Sequence, residues 1–218
     1  MTTAAILPIK RFANAKQRLA ASLPADLRRS LAEAMVSDVL RALRRCQAID
    51  QVVVVTAEPI ASALATSQGA RVVPDPAERG HSEAALLGIA ALEDVDRVLL
   101  LPGDCPALAP ADIEAVLAAA PAAPSVVVVP DRHGSGTNAL LLSPPDVITP
   151  SFGPDSRARH EGAAAAARVE HVVLTVDAFA MDVDTPEDLA TLRDALAAAR
   201  GTAASTRGLL GRIAPPGR

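Results

Sequence analysis

Short runs of β-branched and aliphatic residues alternate along the chain with longer stretches whose apolar positions recur at helical spacing. "TAAILPI", "QVVVVT", "RVVPD" and "DRVLLLPGD" read as the first four strands. Such runs are too continuous for half-exposed strands and too short for helices, so they predict strands covered on both faces. Between the first two, "PADLRRSLAEAMVSDVLRALRRC" sets Leu27, Leu31, Met35, Val39 and Leu43 four residues apart along one helix face. "PIASALATSQG" predicts a helix closed by Gly69, and "SEAALLGIAALE" another. Pro110 and Asp112 open a helix after the "LLL" strand. "SVVVVPD" and "NALLLS" are then two strands joined by "DRHGSGT". The turn-rich "PPDVITPSFGPDS" leads into a helical "SRARHEGAAAAARV", and "HVVLTV" is the last strand. Thr185 as N-cap and Pro186 at the first position begin a final helix, "TPEDLATLRDALAAAR".

This alternation predicts an α/β fold, a three-layer sandwich around a mainly parallel mixed sheet. Ligands of such sheets bind beyond the carboxyl ends of the strands. Asp104, the glycine loop at 134–136 and "MDVDTPEDL" all fall along that edge or in the loops around it. With 218 residues, the chain is expected to form a single domain over residues 1–200. Residues 201–218, rich in Gly, Pro and Ala with scattered arginines, are expected to be a flexible C-terminal tail.

Composition narrows the chemistry. The chain is 50% apolar but lacks Trp and Tyr, and Phe occurs only at Phe12, Phe152 and Phe179. Stacking on nucleic-acid bases therefore has few side chains to use, and a net charge of −4 does not suit a polyanion-coating surface. Cys46 and Cys105 fit neither a disulfide framework nor a zinc spacing, and read as helix-end and loop fillers. No secretory leader and no membrane-spanning apolar run is seen, so the expected location is cytoplasmic. The expected partners are small molecules, with neither nucleic acid nor membrane, and a homo-oligomer is left open.

Four segments carry candidate chemistry. After the first strand, "LPIKRFANAKQRLA" gathers Lys10, Lys16 and Arg18 in one loop, which suits a triphosphate but reads equally as a solvated basic loop. It has neither the Walker pattern nor the dinucleotide glycines. Asp104 in "LLLPGDCPAL" is either a turn aspartate or a hard carboxylate ligand for magnesium, with Asp182 and Asp184 as candidate partners. In "DRHGSGTNALLL", small residues let backbone amides approach an anion, with Thr137 and Asn138 at the exit; a plain hairpin turn is the alternative. "FGPDSRARH" brings Gly153, Ser156, Arg157, Arg159 and His160 to a helix N-terminus, suited to a phosphate or carboxylate or simply a cap followed by a basic patch.

Taken together, "LPIKRFANAKQRLA", "LLLPGDCPAL", "HGSGTNALLL", "FGPDSRARH" and "DVDTPEDL" resemble the guanylyltransferases that make the precursor of the deazaflavin coenzyme F-420. The resemblance spans roughly residues 4–200. It implies the nucleotide-diphosphate-sugar transferase-like (Rossmann-like) fold, shared with enzymes activating molybdopterin and keto-deoxy sugars. It implies GTP and phosphoenolpyruvate, or 2-phospho-L-lactate in archaea, as substrates. Asp104 and Asp184 then hold Mg2+, and Thr137, Gly153 and Ser156 bind the three-carbon phosphate, beside Asn138 and Arg157. Lys10, Lys16 and Arg18 meet the GTP phosphates, with Lys16 and Asp104 as the catalytic pair. Many members carry a glycine-rich loop with Leu-Asn near residue 82, as part of the base site. Here "AERGHSEAALLGI" places His81, Ser82 and Glu83 there; Gly80 and Ser82 are the candidates for nucleotide contact, and Glu83 is either an acceptor for a guanine N–H edge or the first-turn acid of a helix.

The reaction implied is in-line attack of a phosphate oxygen on the α-phosphorus of GTP. The attacking phosphate is already ionised, so the site needs no His–Ser–Asp arrangement, and the chain shows none. The alanine-rich composition suggests a GC-rich bacterial genome, which favours phosphoenolpyruvate over 2-phospho-L-lactate or 3-phosphoglycerate. Other readings are a nucleotide-sugar or molybdopterin nucleotidyltransferase of related fold, an Asp-x-Asp glycosyltransferase, and a non-catalytic nucleotide sensor. The glycosyltransferase pair usually lies mid-chain, and a sensor has no need to keep both carboxylates.

Overall fold

The computed structural model describes residues 1–198 and 201–213. Among these residues seven strands form one sheet in the order β3-β2-β1-β4-β6-β5-β7. They are β1 (Thr3–Ile9), β2 (Gln51–Thr56), β3 (Arg71–Pro74), β4 (Arg97–Leu100), β5 (Ser125–Pro130), β6 (Thr137–Ser143) and β7 (Glu170–Val173). The helices are α1 (Ala25–Arg45), α2 (Pro59–Ser67), α3 (His81–Ala90), α4 (Pro110–Ala118), α5 (Ser156–Ala166), α6 (Pro186–Ala198) and α7 (Ala204–Leu210).

Strand pairing is parallel except around β6, which runs against β4 and β5. That reversal decides where the chemistry lies. The carboxyl ends of β1, β2, β4 and β5 and the amino end of β6 all reach the same sheet edge. The loops carrying Lys16, Asp104 and Thr137 therefore meet although they are far apart in sequence.

The two faces of the sheet sort by strand parity, as the two-residue period of a strand requires. Ala5, Leu7, Leu99, Val127 and Leu141 face a core shared with α1, α2 and α4, including Val39, Ala61 and Ile113. Ala4, Ile6, Val98, Val126 and Leu140 face the opposite core, with Ala84 and Ala85 of α3 and Ala164 of α5. Each fully buried aliphatic side chain contributes about 1.5–3 kcal/mol. α3 lies close on the sheet: a Cβ at Gly88 would stand 2.5 Å from Ile6 Cγ2.

A third cluster has no counterpart in the strand pattern. Leu19 and Leu23 from the first loop, Leu31 and Met35 of α1, Val183, and Leu189, Leu192 and Leu196 of α6 pack together. Ala203, Leu209 and Leu210 complete this cluster. The expected flexible tail is therefore corrected for residues 203–213: α7 docks on α1, and buried Asp38 accepts hydrogen bonds from the amides of Ser205 and Thr206 at 2.9 and 2.7 Å. Composition concealed this because the stretch has few apolar residues, of which Ala203, Leu209 and Leu210 are buried in the cluster formed with α1 and α6. The remainder of the tail, 214–218, lies outside the described residues. Among those described, no helix is long and apolar enough to cross a membrane.

Candidate active site

Lys16 is the hub of the site. It stands between two short 3-10 turns, Phe12–Asn14 and Gln17–Leu19, with a left-handed backbone (φ 54°). That conformation costs a non-glycine residue about 1–2 kcal/mol. It turns the side chain inward, where only 7% of it is exposed. The ammonium donates to Asp104 and, at 3.2 Å, to Asp184 Oδ1. Burial alone would depress the Lys16 pKa, but the two carboxylates outweigh it and hold the group protonated well above its ordinary range.

Two loops supply those carboxylates. β4 ends in Leu100, and Pro102–Gly103 carries the chain across the sheet edge to Asp104. Asp184 precedes α6, whose start is a reciprocal cap. The Thr185 hydroxyl accepts from the Asp188 amide at 3.3 Å, while Asp188 Oδ2 accepts from the amides of Thr185 and Asp184 at 2.7 and 2.9 Å. Arg132, from the glycine loop, also donates to buried Asp188. Burial would raise the Asp188 carboxyl, yet Arg132 and the two amides hold it well below the usual carboxylate range. Arg132 and Asp188 thus join the loop before Thr137 to the loop carrying Asp184, a link the sequence reading missed. The spacing Thr185-x-x-Asp188 signals the cap but carries no sign of the Arg132 contact, 56 positions away.

Two cavities open along this edge, of about 310 and 320 Å3. The first is walled by Lys10, Asn14, Lys16 and Gly103. The second is walled by Gly136, Thr137, Asn138, Gly153, Ser156 and Asp182. His81, Pro102, Asp104 and Asp184 border both. The two carboxylates therefore stand where the contents of the two cavities meet.

The remaining expected site residues sort by what they touch. Thr137 and Ser156 are buried and border the second cavity, and the Ser156 hydroxyl has no hydrogen bond among the described residues. Gly153 takes a left-handed φ of +113° that a side chain rarely tolerates. Asn138 donates to the Phe179 carbonyl at 2.6 Å and to Asp182 Oδ1 at 3.1 Å, so it also orients a third carboxylate. Burial, then the neighbouring Asp104 and Asp184 charges, push the Asp182 pKa up.

Four expected contacts are not brought to either main cavity. The Arg157 guanidinium is held by Glu161 at 2.6 Å and the Gly134 carbonyl at 3.2 Å, so it braces the glycine loop. Arg18 is exposed on its 3-10 turn and borders neither cavity. The Ser82 hydroxyl is taken by the Phe152 amide at 2.8 Å, tying α3 to the loop before α5. Gly80 borders only a narrow cleft beside Lys10 and Asp75. His81 occupies the place expected of the base loop: burial, outweighing the attraction of Asp104, lowers its pKa to about 4, and its ring meets Phe152 edge-on at 4.4 Å. Both cysteines are buried and free, and burial pushes both thiols up, so neither offers a thiolate.

The site can hold a divalent cation. Asp104 and Asp184 come from different loops yet turn an oxygen toward one positive centre, the Lys16 ammonium. Among the described residues no group of three or more His, Cys, Asp or Glu forms a metal cage. Two hard carboxylates completed by water and substrate oxygens are what magnesium commonly takes. The arrangement thus has cations for phosphates, carboxylates for a metal, hydroxyls for an anion, and no activated nucleophile of its own.

Comparison with known proteins shows the family. The family model described as guanylyl transferase CofC like matches residues 3–202. A phosphoenolpyruvate guanylyltransferase of Conexibacter woesei is 50% identical over 216 residues, covering 98% of this chain and 97% of the relative. The enzyme of that name from Sphaerobacter thermophilus is 38% identical over 194 residues, covering 88% and 93%. A solved structure from Desulfovibrio desulfuricans, described as a nucleotide-diphospho-sugar transferase, superposes with a TM-score of 0.71 at 20% identity, covering 97% of this chain and 95% of the other. That last likeness establishes the shared fold.

Proposed function

The chain belongs to the guanylyl transferase CofC-like family, and from that premise we propose that it couples GTP to phosphoenolpyruvate with release of pyrophosphate. The product is enolpyruvyl-2-diphospho-5'-guanosine, a precursor of coenzyme F-420. The observation that carries the reading is the pair of adjoining cavities with Asp104 and Asp184 in their common wall.

In this reading GTP occupies the first cavity, its phosphates beside Lys10 and Lys16. Phosphoenolpyruvate occupies the second, held by Thr137 and Ser156. A phosphate oxygen of phosphoenolpyruvate forms a bond to the α-phosphorus of GTP, and the bond from that phosphorus to the bridging oxygen of the β-phosphate breaks. Pyrophosphate leaves with the electron pair. No general base is required, because the attacking oxygen is already ionised near neutral pH. The protein overcomes the repulsion between two anions and fixes their alignment. Asp104 and Asp184 would hold Mg2+, which supplies positive charge to the phosphate oxygens when bound. Lys16 supplies a second, permanent positive charge at the same point. His81, kept neutral by burial, separates the cavities without adding charge.

The purified protein, incubated with GTP and magnesium and one acid at a time, tests this through pyrophosphate release. Turnover with phosphoenolpyruvate, and little with 2-phospho-L-lactate or 3-phosphoglycerate, is the expected result. Preference for either other acid overturns the substrate while keeping the reaction class. Silence with all three acids but turnover with a sugar phosphate overturns the reading.

A further inference from the structure

Thr137 and His160 form a pair whose hydrogen positions the heavy atoms determine. His160 is fully buried on the face of α5 that also carries Ser156 and Ala164. Its Nε2 lies 2.9 Å from the amide nitrogen of Ser151, and its Nδ1 lies 3.0 Å from Thr137 Oγ1. A backbone amide only donates, so Nε2 must present its lone pair to Ser151. A neutral imidazole then carries its proton on Nδ1. That proton points at Thr137 Oγ1, so the threonine oxygen is the acceptor in this contact. The threonine's own hydrogen has to go elsewhere, and among the described residues the hydroxyl has no other partner. It borders the second cavity.

The reverse arrangement is excluded by the same atoms. Were Thr137 to donate to Nδ1, the ring proton would sit on Nε2 and face the Ser151 N–H. A doubly protonated ring fails in the same way. Burial and the neighbouring Arg159 charge lower the His160 pKa to about 4, so the ring is neutral at physiological pH. Phe152, edge-on to His160 at 5.3 Å, packs against the ring.

We propose that His160 is a positioning residue that commits the Thr137 hydroxyl to donate into the second cavity, making that wall selective for an acceptor-only anionic group. Phosphate and carboxylate oxygens at neutral pH have only lone pairs to offer. A hydroxyl left to rotate would present its own lone pair to them part of the time. The inference rests on reading the second cavity as the acid-substrate site.

Side-chain 15N NMR of uniformly labelled, ligand-free protein at neutral pH reads the tautomer directly. His160 is expected with Nδ1 protonated and Nε2 bare. A ring protonated on Nε2 overturns the proposal, and this measurement needs no variant to fold. The kinetic arm uses His160→Phe, which keeps the ring and removes both nitrogens. Its KM for phosphoenolpyruvate should rise about tenfold, the loss of roughly one directed hydrogen bond. KM for GTP and kcat should stay within about twofold, because uniform binding of one substrate is what is lost. His160→Asn, whose amide can donate from near the position of Nδ1, should show the smaller KM effect of the two. In a Thr137→Val background, His160→Phe should add nothing further, since both changes remove the same donor. If Thr137→Val raises the phosphoenolpyruvate KM but a folded His160→Phe does not, the proposal falls and the substrate reading stands. If Thr137→Val itself leaves that KM unchanged, Thr137 is not at the substrate and the premise falls with the proposal.

Discussion

At the scale of single residues, the site is a balance of three charges. Lys16 lies between Asp104 and Asp184, and the acids are 30% and 46% exposed. Part-exposed acids tolerate loss of charge, whereas a protonated, buried lysine stripped of partners would not. Asp104→Asn is therefore expected to fold, with an unfolding midpoint close to the parent in a thermal melt. Its kcat should fall by about 10²–10³, the usual loss when a group stabilising transition-state charge is removed. A folded Asp104→Asn with parental kcat takes Asp104 out of the site. Both aspartates were legible in the sequence, because each ends an apolar run at a strand edge or precedes a helix cap. The Lys16 contacts were not. They span 88 and 168 positions and depend on a left-handed backbone at a residue with no glycine to advertise it. Arg157 misled for the opposite reason: its charge suited an anion, but Glu161 one helical turn away claims it.

At the scale of elements, the start of α6 holds the Asp184 loop in place. Asp188 receives the amides of Asp184 and Thr185 and the Arg132 guanidinium at once. Asp188→Ala should lower unfolding stability by about 1–2 kcal/mol, mainly through the lost cap, because the Arg132 it leaves behind is exposed to water. Chemical denaturation measures it, and a loss under 0.5 kcal/mol, the scale of an ordinary surface change, contradicts the role given to Asp188. α7 makes a similar case in the third core. Leu210→Ala, buried against α1 and α6, should cost about 2–4 kcal/mol, where a disordered tail would show no change. The first four strands were legible as continuous apolar runs, α1 from its four-residue apolar spacing, and the ends of α2 and α4 from Gly69 and from Pro110 with Asp112. α7 was not, since seven residues give too short a window for a period to show.

At the scale of the molecule, the reversed β6 brings the amino end of one strand among the carboxyl ends of others. Sequence predicted the mixed sheet, but the pairing order that brings Thr137 and Asp104 to one edge is a property of the assembled sheet. Two histidines, His160 fully buried and His81 half-buried, add a pH signature. His81 and His160 have pKa values lowered from an ordinary 6.5 to about 4. Between those values the unfolded chain binds protons that the folded chain refuses, so stability is complete above about pH 6.5 and declines toward pH 4. The slope is up to about 1.4 kcal/mol per pH unit for each histidine. Denaturation midpoints that stay level across that window contradict the buried, neutral assignment. The central claim is that two anions meet over Asp104 and Asp184 and are joined phosphate to phosphate. Phosphorus-31 NMR of one reaction containing the protein, magnesium, GTP and phosphoenolpyruvate tests it directly. The account predicts that the phosphoenolpyruvate singlet gives way to a pair of mutually coupled diphosphate resonances, with one equivalent of pyrophosphate. A phosphoenolpyruvate signal that persists while GTP is consumed would contradict it.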